Sequence, residues 1–281
     1  MYKLVALDID GTLLDPQGHI SPRVRRTVSL AVEKGCIVTL ATGRRHRSAR
    51  QVAADLGVNT PLILYSGSVV YDPQAEQALL HRPLPASFVA SAVELMLEAG
   101  VNPGIFQSPL RGERIYFGPP EFDDEYLKAF ATHPSRADLV TRLAYREMPL
   151  VEDPLVVTAT GPGERAEQVL EMLRKRPEFN CNFYSYRLQH STVKDLHCFD
   201  LLPAGYSKAY ALEWLARHHG LSLADTLVVG DGPNDLEMLR VAGLGVAMGN
   251  ATIEVKAAAR VVVAPNSADG VAEALERFVL A

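Results

Sequence analysis

Three short apolar runs in this chain each stop abruptly at polar residues, and that pattern constrains the fold most. Leu4, Val5, Ala6 and Leu7 run into Asp8-Ile9-Asp10-Gly11; Ile37, Val38, Thr39 and Leu40 lead to Thr42-Gly43-Arg44; Thr226, Leu227, Val228 and Val229 run into Gly230-Asp231-Gly232. Runs this short, apolar on both faces, are strands buried in a parallel sheet that deliver a polar loop at their C-terminal ends. Val24, Val28, Ala31 and Val32 follow the first run at helical spacing, with Gly35 as a stop. A helix to about Leu56 and a third strand over residues 62–65 continue the alternation. Lys208 opens a later helix, short strands are expected at 244–246 and 261–263, and Val271, Leu275 and Phe278 give a final helix face. Strand and helix in alternation predict an α/β fold with a doubly wound parallel sheet.

The middle of the chain lacks the run-then-acid signature. Helix faces at Val89, Val93 and Leu97 and at Ala166, Val169, Leu170 and Leu173 alternate with short strand candidates at 104–107, 114–117, 155–159 and 182–185, among frequent prolines. This stretch reads as a separate α+β insertion. The expected domains are a core of residues 1–82 plus 191–281 and an insertion of 83–190.

A chain of 281 residues with 48% hydrophobic and 22% charged residues and a net charge of −5 reads as an ordinary globular protein. No basic run or basic-aromatic stripe suggests nucleic acid. No segment has the apolar length to span a bilayer, and the N-terminus does not read as a signal peptide. Cys36, Cys181 and Cys198 form no CxxC pair, which points to free thiols in a reducing cytoplasm. Monomer and homodimer both stay open. Arg44, Arg45, Arg47 and Arg50 are the densest basic group; they read as a solvated helix face or as a share in binding an anionic substrate.

In open α/β sheets, strand ends line the binding crevice, so four polar clusters distant in sequence can meet. In Asp8-Ile9-Asp10-Gly11-Thr12, two carboxylates one residue apart repel each other and lose hydration, and a divalent cation removes that penalty. Carboxylate oxygens suit Mg2+; one Asp can attack phosphorus while the other handles protons. The plainer alternative is an Asx-type turn capping a helix. Thr42 and Gly43 offer a hydroxyl and a backbone N–H to a phosphoryl oxygen at a helix N-terminus, or simply cap that helix. Lys208, a cation in a first helical turn, opposes the helix dipole; a nearby phosphate would explain it, and so would a solvated surface position. In Gly230-Asp231-Gly232-Pro233-Asn234-Asp235, Asp231 can complete a metal site opposite Asp8, Asn234 can hold a phosphate oxygen, and Asp235 can orient the site from behind. Helix capping by acidic residues is the alternative there.

Taken together, Asp8-Ile9-Asp10-Gly11-Thr12-Leu13-Leu14, Ala41-Thr42-Gly43-Arg44, Lys208 and Gly230-Asp231-Gly232-Pro233-Asn234-Asp235 resemble the motifs of the haloacid dehalogenase-like (HAD) phosphatases. Val246-Ala247-Met248-Gly249-Asn250-Ala251 with Asp269-Gly270-Val271-Ala272 is similar to their Cof-type branch. The resemblance implies a Rossmann-like core with a large α/β cap that excludes water, and a cytoplasmic phosphoric monoester hydrolase. Asp8 would be nucleophile and metal ligand. Asp10 would be general acid and base, with its carbonyl on Mg2+, and Asp231 the remaining protein ligand. Thr42, Gly43, Lys208 and Asn234 would hold the phosphoryl group. The implied substrates are sugar phosphates or phosphorylated cofactors and their precursors. Two departures from the family stand out: Ser66-Gly67 where Asn-Gly is usual, and Lys208-Ala209 where Lys-Gly is usual. Arg44, His46, Phe106, Arg187 and His190 could reach a substrate, or could serve surface and packing. A phosphomutase, and a binding protein without turnover, are the competing readings.

Overall fold

The computed structural model describes residues 2–187 and 193–281. The chain forms two compact units, Met1–His81 with Ser207–Ala281, and Arg82–Tyr206. The first unit begins with β1 (Leu4–Leu7), α1 (Pro22–Glu33), β2 (Ile37–Leu40), α2 (His46–Leu56), β3 (Leu62–Leu64), β4 (Val69–Asp72) and β5 (Gln77–His81). The second holds α3 (Ala86–Glu98), β6 (Pro103–Gln107), β7 (Ile115–Phe117), α4 (Glu125–Ala131), β8 (Val140–Arg142), β9 (Pro154–Gly161), α5 (Gly163–Arg174), β10 (Cys181–Arg187) and β11 (His197–Pro203). The first unit resumes with α6 (Lys208–His218), β12 (Thr226–Gly230), α7 (Leu236–Val241), β13 (Leu244–Ala247), α8 (Ile253–Ala258), β14 (Val261–Val262) and α9 (Gly270–Leu275).

The first unit has a parallel sheet in the order β14-β13-β12-β1-β2. A parallel bridge between Ala41 and Ile63 links β2 to the antiparallel set β3-β4-β5. Leu4 and Ala6 of β1 and Val228 of β12 pack with Leu212 and Leu215 of α6 and Met238 and Leu239 of α7. The alternate residues Val5 and Leu7 are equally buried and point to the opposite face, where α1 packs against β2 and α9. Each such side chain contributes about 1.5–3 kcal/mol relative to exposure. Local signals set the helix limits. Ser21 Oγ accepts from the Val24 N–H at 3.1 Å with Pro22 behind it, and α2 ends at the left-handed Gly57. The strand formed by Val69, Val70 and Tyr71 was not foreseen from the apolar runs.

In the second unit the sheet order is β10-β11-β9-β6-β7-β8, antiparallel except for β7 with β8. Val157 and Ala159 of β9 and Phe199 and Leu201 of β11 pack with Val89, Val93 and Met96 of α3 and Val169 of α5. The expected return to the core at residue 191 comes too early. Strand β11 pairs with β9 and β10, and this unit continues to Tyr206. The opposite face of the sheet carries a buried acid: Thr158 Oγ1 donates to Asp200 Oδ1 at 2.8 Å and Tyr186 Oη to Oδ2 at 2.6 Å. Burial, only partly offset by these two donors, pushes the Asp200 carboxyl up to about 6.

Candidate active site

The ends of β1 and β12 lie side by side because the two strands pair directly, Leu7 opposite Val229, and the Asp8 N–H donates to the Val229 carbonyl at 3.0 Å. Asp8 and Asp231 therefore emerge together. The loop after Asp8 turns at Gly11, whose φ of +79° is left-handed. A Cβ on Gly11 would stand 2.1 Å from Asp231 Oδ2, so only glycine lets this loop press against that carboxylate. Thr12 Oγ1 donates to Asp231 Oδ1 at 2.8 Å. Asn250 Nδ2 donates to the Gly11 carbonyl at 2.8 Å and to Asp231 Oδ2 at 3.2 Å.

Helix α6 brings in the cation. Ser207 Oγ caps it by accepting from the Tyr210 N–H at 3.3 Å. From its first residue, Lys208 Nζ donates to Asp8 Oδ1 at 2.6 Å and to Asp235 Oδ1 at 2.7 Å. Lys208 is fully buried, so it is no solvated surface lysine. Asp235 Oδ2 in turn accepts from the Asp231 and Gly232 N–H groups at 3.0 and 2.9 Å. The turn after β3 packs against the start of α6. Tyr65, Ser66 and Gly67 all have positive φ (52°, 53° and 100°), and a Cβ on Gly67 would stand 2.1 Å from the Ser207 carbonyl oxygen. Asn234 Nδ2 reaches Ser66 Oγ at a long 3.4 Å.

Thr42 and Gly43 follow β2, the other neighbour of β1, and the Ala41 N–H donates to the Leu7 carbonyl at 2.9 Å. Thr42 is buried, and its Oγ1 accepts from the Arg44 N–H at 3.1 Å. The Arg44 guanidinium grips Asp10 bidentately, Nε to Oδ2 at 2.7 Å and Nη2 to Oδ1 at 2.6 Å.

One oxygen each from Asp8, Asp231 and Asp235 lies within 4.8 Å of the others, the spacing of groups that can share a metal ion. Three carboxylates against one ammonium leave two formal negative charges. Burial, with repulsion from Asp235, Asp231 and Asp10, pushes the Asp8 carboxyl well up despite Lys208 beside it. Burial and Asp235 push Asp231 up to about 7 although Thr12 donates to it. Burial alone would lower the Lys208 ammonium, but Asp235 and Asp8 override it and hold the charge on. A dication relieves this excess of negative charge, so the donor set fits Mg2+.

The carboxylate of Asp10 lies outside this cluster. Its side chain is 59% exposed and held by Arg44, which leaves its backbone carbonyl as the expected route to a metal. Asp235 stands inside the spacing of the cluster, but both its oxygens already accept hydrogen bonds from Lys208 and two backbone N–H groups. This suits orientation from behind better than ligation. The supports from Thr12 and Asn250 on Asp231 were not foreseen as contacts. The His46 ring lies against Tyr71 at a tilt of 52°, with ring centroids 4.2 Å apart. Phe106 and Arg187 belong to the second unit, and His190 lies outside the described residues.

Comparison with known proteins agrees. The sequence profile of the haloacid dehalogenase-like hydrolases matches residues 5–275. The chain belongs to this family. As the motifs led one to expect, this HAD-family chain is a phosphatase of the Cof-type branch, a phosphoric monoester hydrolase. It is 33% identical to the HMP-PP phosphatase of Serratia proteamaculans, over 91% of this chain and 87% of that protein. It is 29% identical to the 5-amino-6-(5-phospho-D-ribitylamino)uracil phosphatase YitU of Bacillus subtilis, over 98% and 97%. A solved haloacid dehalogenase-like hydrolase from Bacteroides thetaiotaomicron superposes with a TM-score of 0.77 at 27% identity, covering 99% of this chain and all of that one. Among the described residues of this HAD-family chain, no helix is long and apolar enough to cross a membrane.

Proposed function

We propose that this chain is a Mg2+-dependent phosphatase that removes phosphate from a small metabolite through an aspartyl-phosphate on Asp8. The observation that carries the reading is Lys208, a buried ammonium shared by Asp8 and Asp235 beside Asp231. Lys208 fixes Asp8 through Oδ1, while Oδ2 has no hydrogen-bond partner among the described residues. In the first step an Asp8 oxygen bonds to phosphorus as the ester P–O bond breaks, and Asp10 gives its proton to the leaving oxygen. In the second, Asp10 takes a proton from water, whose oxygen bonds to phosphorus and releases Asp8. Arg44 orients Asp10 for both steps. Thr42, Gly43, Lys208 and Asn234 hold the phosphoryl oxygens, which is most of what phosphoryl transfer asks of a protein. Mg2+ held by Asp8, Asp231 and the Asp10 carbonyl would supply charge neutralisation when bound. The named activities of the relatives support phosphorylated cofactors and precursors as the substrate class, and a solved neighbour described as a sugar phosphatase supports sugar phosphates.

The test is phosphate release from an aryl phosphate with Mg2+. The wild-type chain is expected to turn over, to lose activity with EDTA and to regain it with Mg2+. Asp8→Asn is expected to melt cooperatively and release no phosphate. Release by that variant at the wild-type rate would overturn the assignment.

A further inference from the structure

Asn250 is an exposed residue, yet both polar atoms of its side chain are committed. Its Nδ2 gives one N–H to the Gly11 carbonyl at 2.8 Å and the other to Asp231 Oδ2 at 3.2 Å. Its Oδ1 accepts from the backbone N–H of Asn266 at 2.9 Å. That last contact fixes which way round the amide lies: a donor takes the oxygen, so the NH2 faces the carbonyl and the carboxylate. Asn266 in turn gives its own Nδ2 to the Leu14 carbonyl at 2.6 Å, and the Leu14 N–H donates to the Ile9 carbonyl at 3.0 Å. An asparagine in a surface turn ordinarily bonds its own backbone two residues on. Asn250 instead bonds groups 16, 19 and 239 residues away.

The segments joined in this way all follow strands of the parallel sheet. Residues 9–14 follow β1, Asp231 follows β12, Asn250 follows β13 and Asn266 follows β14. The Met248 N–H, donating to the Gly230 carbonyl at 3.1 Å, carries the end of β13 along that of β12. Two of the three contacts proposed for Mg2+ come from the segments that the Asn250 amide ties together. Asp231 is one. The other is the Asp10 carbonyl, which sits in the peptide joining Asp10 to Gly11, so a hold on the Gly11 carbonyl limits how that peptide can tilt. Thr12 Oγ1 takes Asp231 Oδ1 at 2.8 Å while Asn250 takes Oδ2. Two neutral donors orient this carboxylate without cancelling its charge, which is what an outer partner of a cation site does.

We propose that Asn250 is a positioning residue for Mg2+: its amide sets Asp231 against the loop that carries the Asp10 carbonyl, and Asn266 sets the amide. Asn250 acts through these groups and is not itself a ligand. This rests on the Mg2+-dependent phosphatase reading above and adds what tunes the affinity of that site. A plain loop staple would make the same hydrogen bonds but serve stability alone, so metal affinity separates the two roles.

The experiment is calorimetric titration of Mg2+ into the whole chain, freed of metal with EDTA and dialysed, alongside urea midpoints and the Mg2+ dependence of aryl-phosphate turnover. Asn250→Ala is expected to bind Mg2+ about tenfold more weakly than the wild type, the low end of what loss of an outer partner costs a metal site. Its turnover is expected to climb toward the wild-type level as Mg2+ is raised. Should Asn250→Ala lose its cooperative melt, Asn250→Ser carries the comparison, since a serine hydroxyl is too short to reach both acceptors. A Mg2+ dissociation constant within about twofold of the wild type in a folded Asn250 variant overturns the proposal, whatever its urea midpoint. That result, with wild-type binding and turnover intact, leaves the phosphatase reading standing. A wild-type chain that neither binds Mg2+ nor needs it for turnover strikes the metal reading and this proposal together.

Discussion

At the residue scale, one ammonium holds the charge balance of the site. Lys208 is the cation that touches Asp8 and Asp235, and both acids are buried. Lys208→Met keeps the volume and removes the charge. It is expected to cost about 3–5 kcal/mol at pH 8, the usual penalty for stripping one partner from a buried pair, and to weaken inhibition by inorganic phosphate. The penalty shrinks as pH falls. Asp8, whose folded carboxyl already sits above its ordinary value, contributes stability that is present when protonated and lost as pH rises through its folded pKa. Urea midpoints at pH 8 and pH 5.5 without Mg2+ check this; a penalty independent of pH contradicts it. Asp8 and Asp231 were legible in the sequence because an apolar run ending in an acid has few other uses. Asn250 was not, since nothing local tells that an asparagine 239 residues from Gly11 will hold its carbonyl.

At the element scale, a turn without catalytic side chains sets where α6 begins. Gly67 lets Tyr65–Gly67 pass against the Ser207 carbonyl, one residue before Lys208. Gly67→Ala puts a Cβ into that carbonyl at a φ of 100°, so the turn or the helix start must move. The expected cost is about 1–3 kcal/mol in stability, with a larger proportional loss of turnover because Lys208 moves with its helix. A variant with wild-type turnover would show that α6 is placed by other contacts. The strands of the core were readable because both their faces are apolar. Strand β11 was not: a buried Asp200 interrupts its run, and its length lies just past the expected boundary. Hairpin β4–β5 escaped because β4 offers only three buried apolar residues and β5 is a part-exposed edge strand with little periodic signal.

On the scale of the whole molecule, the second unit carries its own pH dependence in Asp200. Its folded carboxyl at about 6 lies above the unfolded value near 3.8. Its stability contribution is therefore complete below pH ~4 and lost as pH rises through 6, for a total near 2–3 kcal/mol. Asp200→Asn removes that slope. The variant is expected to gain on the wild type in urea midpoint between pH 4.5 and pH 7.5, and a difference flat across that range would contradict the assignment.

The position of β1 between β2 and β12 has a consequence for synthesis. Its first neighbour follows it on the ribosome by about thirty residues, while the second, Thr226–Gly230, follows it by more than two hundred. Until then the growing chain holds a bare strand edge on its central strand, the kind of edge that invites pairing with a stranger. Every nascent length short of β12 thus also lacks Asp231, the acid proposed to complete the metal site beside Asp8.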